Sequence, residues 1–249
     1  MQILNEKDLT LYKKFIVTSA DTDMFGRLRL SGLVNYLIQS AISSADNLGF
    51  GLRFLKEEQL FWVLSRFEVN IKQELKWYDE VIVETWPKTS DGIFYIRDFI
   101  VRDKNENIVA KASSSWLAID TLRKRPKVIS GYISETFHAL SHKQSIEHFP
   151  EKLKYVADGE MNEIQTTFFD TDLNKHVTTT RYIDWMMDDF PVDFHEKHYP
   201  TSLTINFIKE TMPNEKMKIF KNQLAENIFH FEGLNVASEK QAFRGIITF

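Results

Sequence analysis

The 249 residues carry 31 basic and 35 acidic side chains and no cysteine. At roughly 150 residues per domain this is one large domain or two small ones, and either buries a sizeable core. A formal charge of −4 does not suggest a general nucleic-acid binder. The missing cysteine excludes disulfides, thiolate metal sites and a thiol nucleophile, and it fits a reducing compartment. The opening MQILNEKDLT has no basic segment followed by an apolar one, and no stretch approaches the run of about 18 apolar residues that a membrane span needs. The expectation is a cytoplasmic chain without a secretion signal or membrane span.

An internal repeat runs through the chain. Asp21-Thr22-Asp23-Met24-Phe25-Gly26-Arg27-Leu28 resembles Asp170-Thr171-Asp172-Leu173-Asn174-Lys175-His176-Val177 at an offset of 149 residues. The same offset aligns Leu33, Val34, Leu37 and Ile38 with Tyr182, Ile183, Met186 and Met187, each set spaced as one helical face. Ser31 and Thr180 stand where hydroxyls would cap the two helices. The first helix is predicted to run through Ala45 and stop at Gly49; the second ends before Pro191. Strands are predicted at 62–72, 80–86, 93–102 and 108–119, and again at 202–209, 216–224, 228–236 and 241–249. Val69-Asn70-Ile71 and Ile205-Asn206-Phe207 match at an offset of 136, and Ile93–Ile96 and Ile228–Phe231 at 135. Each half therefore reads as strand, helix and about four antiparallel strands. The segment 126–159, with His138, His142 and His148, reads as a partly helical surface connector.

The chemistry concentrates in Asp172-Leu173-Asn174-Lys175-His176, a carboxylate, an amide and an imidazole just before a helix. Helix-start N–H groups and the positive dipole end suit a developing oxyanion, and imidazole exchanges protons near neutral pH. The first copy keeps Asp23 but has Phe25 and Arg27 where the second has Asn174 and His176. The competing explanation is an Asx-type turn that only caps the helix. Glu210, after the strand that begins at Ser202, is a further acid–base candidate against the background of ordinary exposed glutamates.

These residues resemble the acyl-acyl-carrier-protein thioesterases, the enzymes that end fatty-acid synthesis in plant plastids and some bacteria. The likeness covers nearly the whole chain. It rests on Phe15–Ser19, Leu33–Leu48, Leu60–Arg66, Val81–Trp86, Arg97–Asp103, Ala112–Trp116, Asp172–Val177, Tyr182 and Ile205–Glu210. The resemblance implies an α+β double hotdog fold, two tandem repeats in each of which an antiparallel sheet wraps a helix. It divides the chain into an acyl-binding repeat at 1–130, a connector at 131–159 and a catalytic repeat at 160–249. It implies Asp172, Asn174, His176 and Glu210 as the catalytic set, with no cofactor or metal. A cysteine often follows the glutamate in this family; here it is Thr211, which argues against a thiol mechanism.

The implied partner is acyl carrier protein bearing a 4'-phosphopantetheine-linked acyl chain. Leu33, Leu37, Phe61, Trp62, Phe67 and Trp116 are candidate linings for an acyl tunnel, and the basic run Arg123–Lys127 is a candidate dock for the acidic carrier. Chain length, carrier against coenzyme A, and a further homodimer stay open. Three alternatives remain: a hotdog enoyl-thioester hydratase, whose motif has a proline this chain lacks, an acyl-CoA thioesterase, and a non-catalytic acyl-ligand sensor.

Overall fold

A computed structural model describes residues 6–156 and 159–249. In chain order the elements are α1 (Glu6–Leu9), β1 (Leu11–Ile16), α2 (Leu30–Asn47), α3 (Leu52–Glu57), β2 (Leu60–Ile71), β3 (Glu80–Asp91), β4 (Phe94–Asp103), β5 (Ile108–Asp120) and α4 (Tyr132–Ala139). Then follow β6 (Glu160–Gln165), α5 (Thr179–Asp188), α6 (Val192–Lys197), β7 (Ser202–Phe207), β8 (Lys216–Ala225), β9 (Ile228–Asn235) and β10 (Lys240–Thr248). The predicted strands agree with these to within a few residues. The short helices α3 and α6 are additions.

All ten strands form one antiparallel sheet in the order β1-β3-β4-β5-β2-β7-β10-β9-β8-β6. Outward from the centre, the first half reads β2, β5, β4, β3, β1 and the second β7, β10, β9, β8, β6. The order of chain positions is the same in both, so the repeat is expressed as topology. The halves join where β2 pairs with β7, from Arg66↔Asn206 to Asn70↔Ser202. The alternation of apolar residues turns one face of the sheet toward α2 and α5. Leu33, Val34, Leu37, Tyr182, Ile183 and Met186 are buried there in one core with Phe99, Leu203, Phe231 and Phe243. A Cβ at Gly245 would lie 2.5 Å from Met186 Sδ, so glycine lets α5 sit close on β10.

Ser31 and Thr180 do not cap the helices. The N-caps are Arg29 and Thr178, without side-chain bonds. Backbone bonds anchor the helix entries instead: Arg29 N–H to Asp21 O at 2.9 Å and Thr178 N–H to Asp170 O at 2.8 Å.

The connector is more than a surface link. It buries Ile129, Ile133, Phe137, Leu140, Ile146 and Leu153. Beyond α4 it crosses the sheet face away from α2 and α5. It accepts bonds from Trp86 Nε1 (Lys143 O, 3.2 Å), Lys88 Nζ (Ile146 O, 2.8 Å) and Arg244 Nη1 (Leu153 O, 3.1 Å). It donates to Asp98 from Ser145 N (2.7 Å), to Asn206 from Leu153 N (2.7 Å) and to Glu232 from Val156 N (3.3 Å). Lys88, Asp98 and Asn206, polar strand residues that would otherwise face water, are buried under this strap and bonded by its backbone.

Candidate active site

The segment 170–177 folds into a tight turn because Asp172 ties it to itself. Asp172 N–H donates to His176 O (2.8 Å) and Lys175 N–H to Asp172 O (3.0 Å). The Asp172 carboxylate accepts from Asn174 N–H (2.8 Å) and His176 N–H (3.3 Å). Upstream, Asp170 accepts from Thr167 N–H and Oγ1–H and from Arg181 Nε–H. Burial alone would raise the Asp170 carboxyl, but those hydrogen bonds outweigh it and hold it below the ordinary carboxylate value.

The first repeat builds the same frame. Asp23 N–H bonds Arg27 O (2.8 Å), Gly26 N–H bonds Asp23 O (3.0 Å), and Asp23 Oδ1 accepts from Phe25 N–H (2.9 Å) and Arg27 N–H (3.0 Å). The Asx turn is therefore real, and Asp172 holds it. What distinguishes the second copy is the side chains it displays, the Asn174 amide and the His176 imidazole. The second copy also places Lys175 at φ 64° where the first has Gly26 at φ 74°. A non-glycine residue in the left-handed region costs about 1 kcal/mol, but seven other described non-glycine residues adopt it too, so this conformation does not by itself mark the site. Asp172 and Asn174 are exposed and His176 is half-buried, so the set faces solvent.

Glu210 reaches this turn through an irregularity in the sheet. The register of β10 shifts between Gln241 and Phe243, and the extra residue, Ala242, accepts from both Ile208 N–H (2.8 Å) and Lys209 N–H (3.1 Å). A bulge of this kind re-aims a strand end. The chain then leaves β7 and Thr211 O accepts from Val177 N–H at 2.8 Å, which sets Glu210-Thr211 beside His176-Val177. The equivalent bond in the first half, Leu28 N–H to Leu75 O at 2.7 Å, makes Glu74 the counterpart of Glu210. The glutamate, like the aspartate, is common to both repeats. Thr211 is fully buried, with its hydroxyl on Met217 Sδ at 3.5 Å. Of the helix-start donors, Val177 and Thr178 N–H are spent on Thr211 O and Asp170 O. Thr179 and Thr180, the first residues of α5, carry the next N–H groups at the helix start.

Among the described residues, two cavities lie between the first repeat and the connector. The larger, about 460 Å³, is lined by Gly49, Phe54, Leu60, Ile129 and Ile133, and none of the four candidate catalytic residues lines it. The smaller, about 50 Å³, is lined by Ala45, Phe50, Trp62, Trp116, Phe137 and, alone among charged groups, Arg97. Of the candidate tunnel residues, Trp62 and Trp116 line this cavity, whereas Leu33, Leu37 and Phe67 are packed in the main core. Phe61 instead lies under Lys124 Nζ, 5.5 Å from its ring centroid. The cavity is on the Glu210 side of the junction: β2 and β7 stop pairing at Arg66↔Asn206, and Ile208–Glu210 departs toward the end of β2 that carries Trp62. The basic run Arg123–Lys127 is an exposed loop after β5, with Lys127 Nζ 3.5 Å from Glu58. No group of three or more His, Asp or Glu among the described residues is arranged to hold a metal.

The profile of the acyl-ACP thioesterase N-terminal domain matches residues 8–137, and that of the C-terminal domain matches residues 153–249. Oleoyl-acyl carrier protein thioesterase 1 of Arabidopsis thaliana is 23% identical over 229 residues, covering 85% of this chain and 63% of that protein. A dodecanoyl-[acyl-carrier-protein] hydrolase of Cinnamomum camphora is 27% identical over 215 residues, 81% of this chain and 56% of its own. The chain thus spans under two thirds of these curated relatives. A solved acyl-ACP thioesterase from Bacteroides thetaiotaomicron is 25% identical with a TM-score of 0.91, covering 99% of this chain and 100% of the other. The 12:0-ACP thioesterase of Umbellularia californica, at 19% identity and TM-score 0.83, shares the fold. The two repeats, their order and both matched profiles establish that the chain belongs to the acyl-ACP thioesterase family, with its double hotdog fold.

Proposed function

We propose that the chain hydrolyses the thioester of fatty acyl-acyl carrier protein, with residues 1–130 holding the acyl chain and 160–249 supplying the chemistry. Asn174 positions a water, and His176 takes its proton as the oxygen attacks the thioester carbonyl. The tetrahedral oxyanion lies toward the start of α5, at Thr179 and Thr180. It collapses with cleavage of the C–S bond; the carrier's thiolate takes a proton and a free fatty acid leaves. Glu210 accompanies His176 as a second acid–base group, and Asp172 holds the turn that presents both Asn174 and His176. His176 is preferred as the base because the glutamate and aspartate occur in both repeats and the imidazole only in the second. That contrast within one shared hydrogen-bond frame carries the proposal. The buried Thr211 supports water rather than a side-chain hydroxyl as the attacking group.

Carrier docking is assigned to the rim of the turn, where Phe168, Phe169 and Leu173 are exposed at 80%, 89% and 92%, with the Arg123–Lys127 loop as a second, electrostatic contact. No described helix is long and apolar enough to cross a membrane, and the proposed setting is cytoplasmic fatty-acid synthesis. The test is thiol release from acyl carrier proteins of graded chain length, run beside acyl-CoA and an enoyl thioester. Release from the carrier substrate supports the proposal. Faster release from coenzyme A, loss of enoyl absorbance, or tight binding without turnover would each replace it with one of the alternatives.

A further inference from the structure

The two cavities lie end to end. Three separate elements each line both of them with successive positions of one face. At the end of α2, Ala45 lines the smaller cavity and Gly49, one turn on, the larger. On β2, Trp62 lines the smaller and Leu60, on the same face of the strand, the larger. On α4, Phe137 lines the smaller and Ile133, one turn back, the larger. A helical turn and two strand residues each span about 6–7 Å, so a single layer of side chains separates the cavities. That layer is a closed ring of four aromatics. Ring centroids are 6.4 Å apart for Phe50 and Trp62, 5.1 Å for Trp62 and Tyr95, 5.0 Å for Tyr95 and Phe137, and 5.4 Å for Phe137 and Phe50. Hydrogen bonds fix two members: Trp62 Nε1 donates to Phe50 O (3.0 Å), and Tyr95 Oη accepts from Ile129 N–H (2.6 Å). Phe137 is held by apolar packing and is the one member that the connector supplies. Its helix is fastened to β3 through the next residue, His138, whose ring nitrogens lie 3.2 Å from Thr89 Oγ1 and 3.0 Å from Ser90 Oγ.

We infer that Phe137 is the stop for the acyl chain, so that the connector, and neither repeat, sets the longest plain acyl group the protein accepts. The smaller cavity lies on the Glu210 side and opens to the surface beside Ile42, a lining residue 46% exposed. At about 50 Å³ it takes only the end of a chain. Its walls at Ala41, Ala45 and the two indoles suit a methyl end. From the β7 side the sheet runs β2, β5, β4, β3, and α4 is fastened to β3. A chain entering from the catalytic turn therefore passes Trp62 and Trp116 before it meets Phe137 on the far side. Beyond the ring lie about 460 Å³ walled by Phe54, Leu60, Ile129 and Ile133, space that a longer chain reaches only if the ring is broken. One aromatic side chain on the connector thus divides the space available from the space used.

This inference rests on the proposed acyl-carrier hydrolysis for its substrate, so the experiment has a binding arm and a turnover arm. In the first, saturated free fatty acids of graded length are titrated onto the wild-type protein, Phe137→Ala, Ile133→Trp and the double variant. The wild type should show a length beyond which affinity stops rising. Phe137→Ala should move that limit up by at least two carbons, with a gain of about tenfold or more for two added methylenes. Ile133→Trp fills the larger cavity, so alone it should leave the wild-type limit in place, and in the double variant it should cancel the gain. In the second arm, kcat/KM for acyl carrier proteins of graded length should follow the same four patterns, carried in KM. A limit unmoved by Phe137→Ala would overturn the stop. So would a limit lowered by Ile133→Trp alone, because the chain would then already occupy the larger cavity. If Phe137→Ala does not fold, Phe137→Leu replaces it in both the single and the double variant, and the same two results decide. Length limits that shift as expected in binding without any turnover would leave the stop standing and remove the hydrolase.

Discussion

The two copies of the turn allow a swap that separates scaffold from chemistry. In the double variant Asn174→Phe, His176→Arg, the second turn displays the side chains of the first. The bonds that hold it are Asp172 N–H to His176 O, Lys175 N–H to Asp172 O, Val177 N–H to Thr211 O and the two bonds to the Asp172 carboxylate. All five use backbone groups or Asp172, and none uses the Asn174 or His176 side chain. The first repeat makes the same five around Phe25 and Arg27. The swap should therefore change stability by no more than about 0.5 kcal/mol, the range for surface substitutions. A contact between the introduced guanidinium and the Asp172 carboxylate at this exposed site would add less than about 1 kcal/mol. Asp172→Ala removes the acceptor of two N–H groups and should cost about 1–2 kcal/mol. Turnover of the swapped chain should fall by about 10²–10⁴, the contribution of a general acid–base group. Urea midpoints at constant m and thiol release from an acyl-carrier substrate measure the two quantities. A swapped chain that loses more than about 2 kcal/mol would show the side chains to be structural. One that keeps turnover within about threefold would place the chemistry elsewhere.

Three other outcomes follow from the packing. Thr211→Val should retain turnover within about threefold and cost about 1 kcal/mol of stability, because the hydroxyl is buried on Met217; a hundredfold loss in a folded protein would make Thr211 catalytic. Asp98→Ala should cost about 3–5 kcal/mol, since it strands the buried Lys88 and frees Ser145 N–H, and amide exchange at Ser145 should quicken; a loss below about 1 kcal/mol would contradict the strap's role. Asp170 has a depressed carboxyl, so its stabilisation is present above the unfolded value of about 4 and is lost as pH falls through the folded value. Asp170→Asn should cost about 1.5–3 kcal/mol at pH 7, with the difference from wild type shrinking below pH 4; a difference unchanged down to pH 3 would contradict the sign.

The fold is legible in the sequence where one face of an element is buried. The apolar spacing at Leu33, Val34, Leu37 and again at Tyr182, Ile183, Met186 marks two helices that both lie on the sheet, and β-branched and aromatic runs mark the strands. The six-residue helices α3 and α6 are too short to display a periodicity. The connector misleads because part of its burial rests on backbone amides that donate to Asp98, Asn206 and Glu232 on distant strands, and a polar strand residue carries no mark of what covers it. The candidate turn is legible because a second copy stands beside it in the same chain. The equivalence of Glu74 and Glu210 is present in the sequence at the offset of 136, but only the matched bonds of Leu28 and Val177 give it meaning. The missing carboxylate partner of the buried Arg97 is not legible either, because it is a property of space, set by strand alternation that sends Asp98 to the other face, where it pairs with Lys88.

The most direct measurement is a single turnover of an acyl-acyl carrier protein by the wild-type chain in ¹⁸O-water, followed by mass spectrometry of fatty acid, carrier and enzyme. Water attack on the thioester should give free carrier thiol and fatty acid in equal amounts, one ¹⁸O in each carboxylate, and no acyl group on the protein at any time. An intact acyl carrier, or an acyl group found covalently on the chain, would contradict it.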